Sequence, residues 1–177
     1  MITREKIEEI ADSIRTTLGL TYPYDPEKAT TLLNGTIKPI SIDHKIDAAI
    51  KKNGEKGFII YLNIDEPVLR KRFTVAHELG HLFLHMGYLN DKKKWDSISD
   101  DGFQDSAYFR MLDNYSQEEN EANEFAASFL MPKTEFIEIA QQNLSHNQYS
   151  IKPIADYFNV SVSAAINRGK WLGIFAW

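Results

Sequence analysis

Cysteine is absent from the 177 residues, so no disulfide framework exists and any metal site must be built from His, Asp and Glu. Long apolar runs are absent too. No window approaches the roughly eighteen consecutive apolar residues of a membrane span, and "MITREKIEEIADSIRTTLGL" mixes acids and bases where a secretion signal needs an apolar centre. The expectation is a soluble, unexported, cytoplasmic protein with no membrane partner. An excess of positive charge is also missing. A formal charge of −5 and a pI near 5.5 disfavour general affinity for a phosphate backbone, so direct nucleic-acid binding is not expected and protein or peptide partners are. There is no internal repeat and no low-complexity tract.

Hydrophobic residues make up 43% of the chain, enough for one core. Ile7, Ile10, Ala11, Ile14 and Leu18 fall at helical intervals with Gly19 at the stop, predicting an amphipathic opening helix. Asp25 as N-cap, Pro26 at the first helical position and Gly35 past the end predict a short second helix. "TIKPISID", "KIDAAIK" and "KGFIIYLN" are β-branched or aromatic, with an Asn53-Gly54 turn signal before the last, and predict a small antiparallel sheet. Asp65 and Pro67 then open a helix over 67–86 that Gly87 ends. Residues 88–115 are polar and read as a surface loop or short irregular helices. Ser116 begins another helix, stopped by Pro132, and the remainder reads as three short helices.

The chemistry sits in "FTVAHELGHLFLH", residues 73–85. His77-Glu78-Leu79-Gly80-His81 is an H-E-x-x-H match. Four residues on an α-helix turn through about 400° and rise about 6 Å, so the two imidazoles share a face and can share an ion. Glu78, one step round, points to where a reactive water sits and suits a general base. A buried histidine is ordinarily a hydrogen-bonded core residue. Here the neighbours Val75, Ala76, Leu79, Leu82, Phe83 and Leu84 offer almost no polar alternatives. Each unpartnered buried polar group costs about 1–3 kcal/mol, and a divalent metal supplies the compensation.

Zinc takes three protein ligands in a catalytic site. The helix from Ser116 offers Glu118, Glu119 and Glu121, and its apolar stripe is Ala122, Phe125, Ala126, Phe129 and Leu130. Glu118 and Glu119 both lie at the margins of that stripe, whereas Glu121 is farther round. Ser116-x-x-Glu119 is also a capping-box pattern, which would turn Glu119 back onto the Ser116 N–H. Asn123 is one turn beyond Glu119 and either orients a ligand or packs between helices. His85, one turn beyond His81, supports a ligand from behind, faces substrate or is structural. His44 and His146 stand in polar contexts as bystanders.

"RFTVAHELGHLFLH" followed by "EENEANEFAASFLMP" resembles the ImmA/IrrE family of metallo-endopeptidases, which pair an H-E-L-G-H helix with a downstream E-x-x-x-N-x-x-A-A-x-x-L-M-P helix. "GFIIYLN" resembles the family's sheet strand and "IADYFNVSVSAAINRGKWLGI" its C-terminal helical segment; residues 88–115 resemble it least. The resemblance implies an α+β, mostly helical, zincin-like domain of gluzincin type with a small antiparallel or mixed three-stranded sheet. The expected organisation is a metalloprotease-like core, 1–132, with the N-terminal helix and small sheet, and a C-terminal helical segment, 133–177, packed on it as one compact unit. It implies one zinc ion on His77, His81 and Glu119, because the family's third ligand stands four places before the Asn. Glu78 would be the base in peptide hydrolysis without a covalent intermediate. The implied substrate is a helix-turn-helix repressor of the Xre/Cro type, encoded in phages and mobile elements, whose cleavage relieves repression.

"GFIIYLN" either pairs with an extended substrate as an edge strand or is an internal core strand. A non-proteolytic regulatory protein is the competing class, because "IADYFNVSVSAAINR" scans like a helix-turn-helix. Its second helix offers Arg168 and Lys170 but no dense basic face.

Overall fold

The computed structural model describes residues 2–40, 48–99 and 117–176. The chain is α+β and mostly helical. Helix α1 (Arg4–Thr17) starts where Thr3 accepts the Lys6 N–H, and buries Ile7 and Ala11 from the predicted stripe. Gly19 ends it with φ 59°, a left-handed conformation that glycine adopts without strain. Helix α2 (Pro26–Leu32) has its predicted start: Asp25 Oδ1 accepts from Glu27 and Lys28 N–H at 2.9 and 3.3 Å. Its stop differs from expectation. Asn34 takes the left-handed position (φ 63°), and Gly35 begins strand β1 (Gly35–Ile40) instead. A Cβ on Gly35 would lie 2.4 Å from the Phe58 ring, so that glycine is needed for room.

Strands β2 (Ala48–Asn53) and β3 (Gly57–Asn63) form the expected hairpin around Gly54, which has φ 72°. The sheet is mixed, in the order β1-β3-β2. Strand β1 runs parallel to β3, with Ile37 opposite Ile60, and β2 runs antiparallel to it, with Ile50 also opposite Ile60. Strand β3, the "GFIIYLN" segment, therefore has both edges paired and is the internal core strand; the edge-strand alternative fails. Phe58, Ile60 and Leu62 of β3 enter the core.

Helix α3 (Val68–Gly80) carries the histidine motif and continues as one π-helical turn (His81–His85), where an unbroken α-helix was expected. Met86 N–H bonds to the His81 carbonyl at 2.9 Å, an i to i+5 closure. A short helix α4 (Lys92–Ser97) follows, within the stretch read as loop or irregular helix. Helix α5 (Gln117–Leu130) packs on α3. Its capping box at Ser116, with His44 and most of 88–115, lies outside the described residues. Helices α6 (Lys133–Gln142), α7 (Ile151–Phe158) and α8 (Val162–Trp171) are the three expected at the C-terminus. A two-residue hairpin, Leu144–Ser145 with Gln148–Tyr149, separates α6 from α7. His146 is exposed at its turn. Among the described residues no helix is long and apolar enough to cross a membrane.

Two features fix α5. Gly80 of α3 lies against it so closely that an added Cβ would be 3.0 Å from Ala122 Cα, 3.1 Å from its carbonyl and 3.2 Å from Phe125 Cβ. On another side, Arg168 of α8 is 1% exposed. Its guanidinium reaches both Glu8 oxygens at 2.8 and 2.7 Å, Glu124 at 3.2 Å and the Met131 carbonyl at 3.0 Å. The charge that a nucleic-acid-reading helix would present outward is spent inside the molecule.

Gly80→Ala is expected to lower stability. Added helix propensity favours the variant by about 1 kcal/mol, but overpacking against backbone costs about 1–3 kcal/mol, and a lower urea midpoint is the readout. Arg168→Met leaves Glu8 and Glu124 without their shared cation and is expected to cost about 3 kcal/mol or more by the same measurement.

Candidate metal centre

The four-residue spacing of His77 and His81 on α3 sets their rings 4.8 Å apart between centroids. Their Nε2 atoms are 3.0 Å from one another. Glu119, in the first turn of α5, reaches between them: Oε2 is 3.2 Å from His77 Nε2 and Oε1 is 3.1 Å from His81 Nε2. The three residues present ligand atoms that all lie within 4.8 Å of one another, a group able to hold a metal ion. Tetrahedral zinc with bonds of about 2.0–2.1 Å separates its ligands by about 3.3 Å, so the observed spacings of 3.0–3.2 Å fit such an ion.

Burial pushes the Glu119 carboxyl upward, but hydrogen bonds from His77 and His81 outweigh it and hold the group far below the usual carboxylate range. The site thus keeps an anion in place between two imidazoles. Glu78 is 1% exposed and stands one residue round from His77, so its carboxylate is held inside the fold rather than on its surface.

Of the three glutamates considered on α5, Glu118 is exposed, Glu119 joins the histidines, and Glu121 faces elsewhere. Asn123 lies one turn after Glu119, and its Oδ1 is 2.9 Å from His77 Nδ1. The π-helical turn brings His85 behind His81, with the two Nδ1 atoms 3.0 Å apart. Glu121 completes that row: its Oε2 is 3.2 Å from His85 Nε2, and its Oε1 accepts from the Ile2 N–H at 3.0 Å and from Gln117 Nε2 at 2.7 Å. Burial drives the His85 imidazole below its ordinary pKa, with His81 adding to the effect.

Sequence reading passed over Glu121 in any supporting role. The wheel places it away from the apolar stripe, the usual mark of a solvated carboxylate. Its burial arises because the π turn and the chain's second residue cover that side of α5. No signal in the sequence marks this, because Glu121 is one of four glutamates on a helix whose first turns are polar.

Comparison with curated proteins finds no relative that matches. Among solved structures, a Mycobacterium tuberculosis transcriptional regulator superposes with a TM-score of 0.61 at 15% identity. It covers 93% of this chain, and this chain spans 46% of it, about half its length, so the likeness is one of fold. The family profile Peptidase_M78, described as an IrrE N-terminal-like domain, matches residues 44–170. With most of its length matched and a group able to hold a metal ion, His77, His81 and Glu119, inside that span, this chain belongs to the ImmA/IrrE, or Peptidase_M78, family of metallopeptidases.

Proposed function

We propose that this chain is a zinc-dependent endopeptidase in which His77, His81 and Glu119 hold one ion and Glu78 is the general base. The observation that carries the reading is the convergence of two Nε2 atoms and both Glu119 oxygens within 3.0–3.2 Å, with a buried glutamate one residue from the first histidine. When bound, the ion supplies Lewis acidity and a lowered pKa for water. The chain's own residues do the rest. Glu78 takes a proton on its carboxylate from the attacking water and delivers it to the leaving amine nitrogen, so the peptide C–N bond breaks without a covalent enzyme intermediate. His77 is steadied by Asn123 at its Nδ1, and His81 by His85 at its own.

The substrate we favour is a helix-turn-helix repressor of the Xre/Cro type in the cytoplasm, whose cleavage relieves repression. The family resemblance supports this, as does the fold shared with a protein described as a transcriptional regulator. That description also favours a second reading, regulation by partner binding without proteolysis. The burial of Arg168 against Glu8 and Glu124 weighs against a DNA-reading role for α8 in either case.

Glu78→Gln is expected to retain zinc by elemental analysis and to lose about 10²–10⁴ in cleavage rate. The substrate to try is a small helix-turn-helix protein from the adjacent open reading frame, with fragments read by mass spectrometry. Undiminished derepression in that variant would favour the non-proteolytic reading. Glu119→Ala is expected to lose its zinc during dialysis, whereas Glu118→Ala keeps it; the reverse pattern would move the third ligand by one residue.

A further inference from the structure

The catalytic steps above use neither Glu121 nor the backbone of Ile2, yet both end a row of polar contacts that begins at His81. We infer that Glu121 is a positioning residue which, through His85, fixes the tautomer of His81 and keeps its Nε2 lone pair turned toward the metal. The inference rests on the reading of His77, His81 and Glu119 as ligands.

The direction of each hydrogen bond follows from the one before. A neutral imidazole carries one ring proton, and a metal-binding Nε2 must be bare, so in His81 the proton is on Nδ1. That N–H donates to His85 Nδ1 at 3.0 Å. His85 is then an acceptor at Nδ1, its own proton is on Nε2, and it donates to Glu121 Oε2 at 3.2 Å. A carboxylate only accepts, so it suits the end of such a row. Its other oxygen accepts from Ile2 N–H and Gln117 Nε2. The backbone N–H cannot reverse its polarity, which pins the whole row from the end remote from the metal. The π turn supplies the geometry, placing the His81 and His85 rings 5.0 Å apart between centroids with a 54° tilt. His77 needs no such row, because the Asn123 carbonyl oxygen accepts from its Nδ1 directly.

Glu121→Gln is nearly isosteric and separates positioning from simple bracing. Ile2 N–H demands the amide oxygen, so the amide NH2 must face His85 Nε2. His85 then carries its proton on Nδ1 and donates toward His81, whose proton is driven onto Nε2, where the metal should bind. The expected result is zinc affinity weakened about 10–100-fold, the usual effect of losing a ligand's hydrogen-bond partner, measured by competition with a chromophoric chelator. The melting temperature of the metal-free variant should match that of the parent. Ring ¹⁵N NMR should show His85 as the Nε2–H tautomer in the zinc-loaded parent and as Nδ1–H in the variant.

Equal zinc affinity in parent and Glu121→Gln would overturn the relay while leaving the metal reading intact. Absence of zinc binding by the parent would overturn both. The tautomer measurement on the parent needs no substitution, so a Nδ1–H signal from His85 there would sink the inference even if the variant proved unstable.

Discussion

The close approach of α3 and α5 at Gly80 and Ala122 is the constraint on which the rest depends. Helices packed through ordinary side chains sit about 8–10 Å apart, and a side chain as small as alanine at position 80 would already press on the Ala122 backbone at 3.0–3.1 Å. Gly80 directly precedes His81, and Ala122 lies one turn after Glu119. The tightest point of the packing is therefore beside the site. A metal tolerates ligand displacements of about 0.2 Å, and a Cβ at position 80 demands a few tenths of an ångström from its neighbours. Packing and chemistry are set by the same contact.

Helix α5 is enclosed on almost every side, and each side has its own polar task. Glu119 and Asn123 face the histidines, Glu121 faces His85 and the chain's second residue, and Glu124 with Ser128 faces Arg168. Buried ionisable groups persist only with partners, since an unpaired one costs several kcal/mol. Here the partners come from four separate segments. That distribution makes α5 the element whose position every neighbour helps to set.

The same enclosure explains what the sequence did and did not reveal. Local signals worked where local physics decides: Asp25 caps its helix, Gly19 and Gly54 take positive φ, and the spacing of His77 and His81 sets their imidazoles side by side, edge to face. Helical-wheel reasoning presumes one apolar and one solvated face. On α5, buried from Glu121 to Leu130 but for Asn123, it rightly kept Glu119 near the core and wrongly sent Glu121 outward. The π turn was illegible, because its i to i+5 bond depends on how Met86 and Gly87 leave the helix and on what His85 meets there. The position of β3 between its two neighbours was equally hidden, since apolar composition suits a central strand and a half-covered edge alike.

Helix α1 supplies the last coordinate of the site. Ile2, just before it, meets Glu121, and along the helix Arg4 meets Glu124 and Glu8 meets Ser128, while Arg15 reaches back to the Ser128 and Phe129 carbonyls. The two helices therefore run side by side in a fixed register. A slip of α5 by one residue would carry Glu119 about 1.5 Å along the axis and turn it by about 100°, far outside what a shared ion or a 3.1 Å contact to His81 allows. Gly80 sets how near α5 comes, and α1 sets its height. The opening helix, which its periodicity marks only as amphipathic, holds the third corner of the site at the level of the histidines.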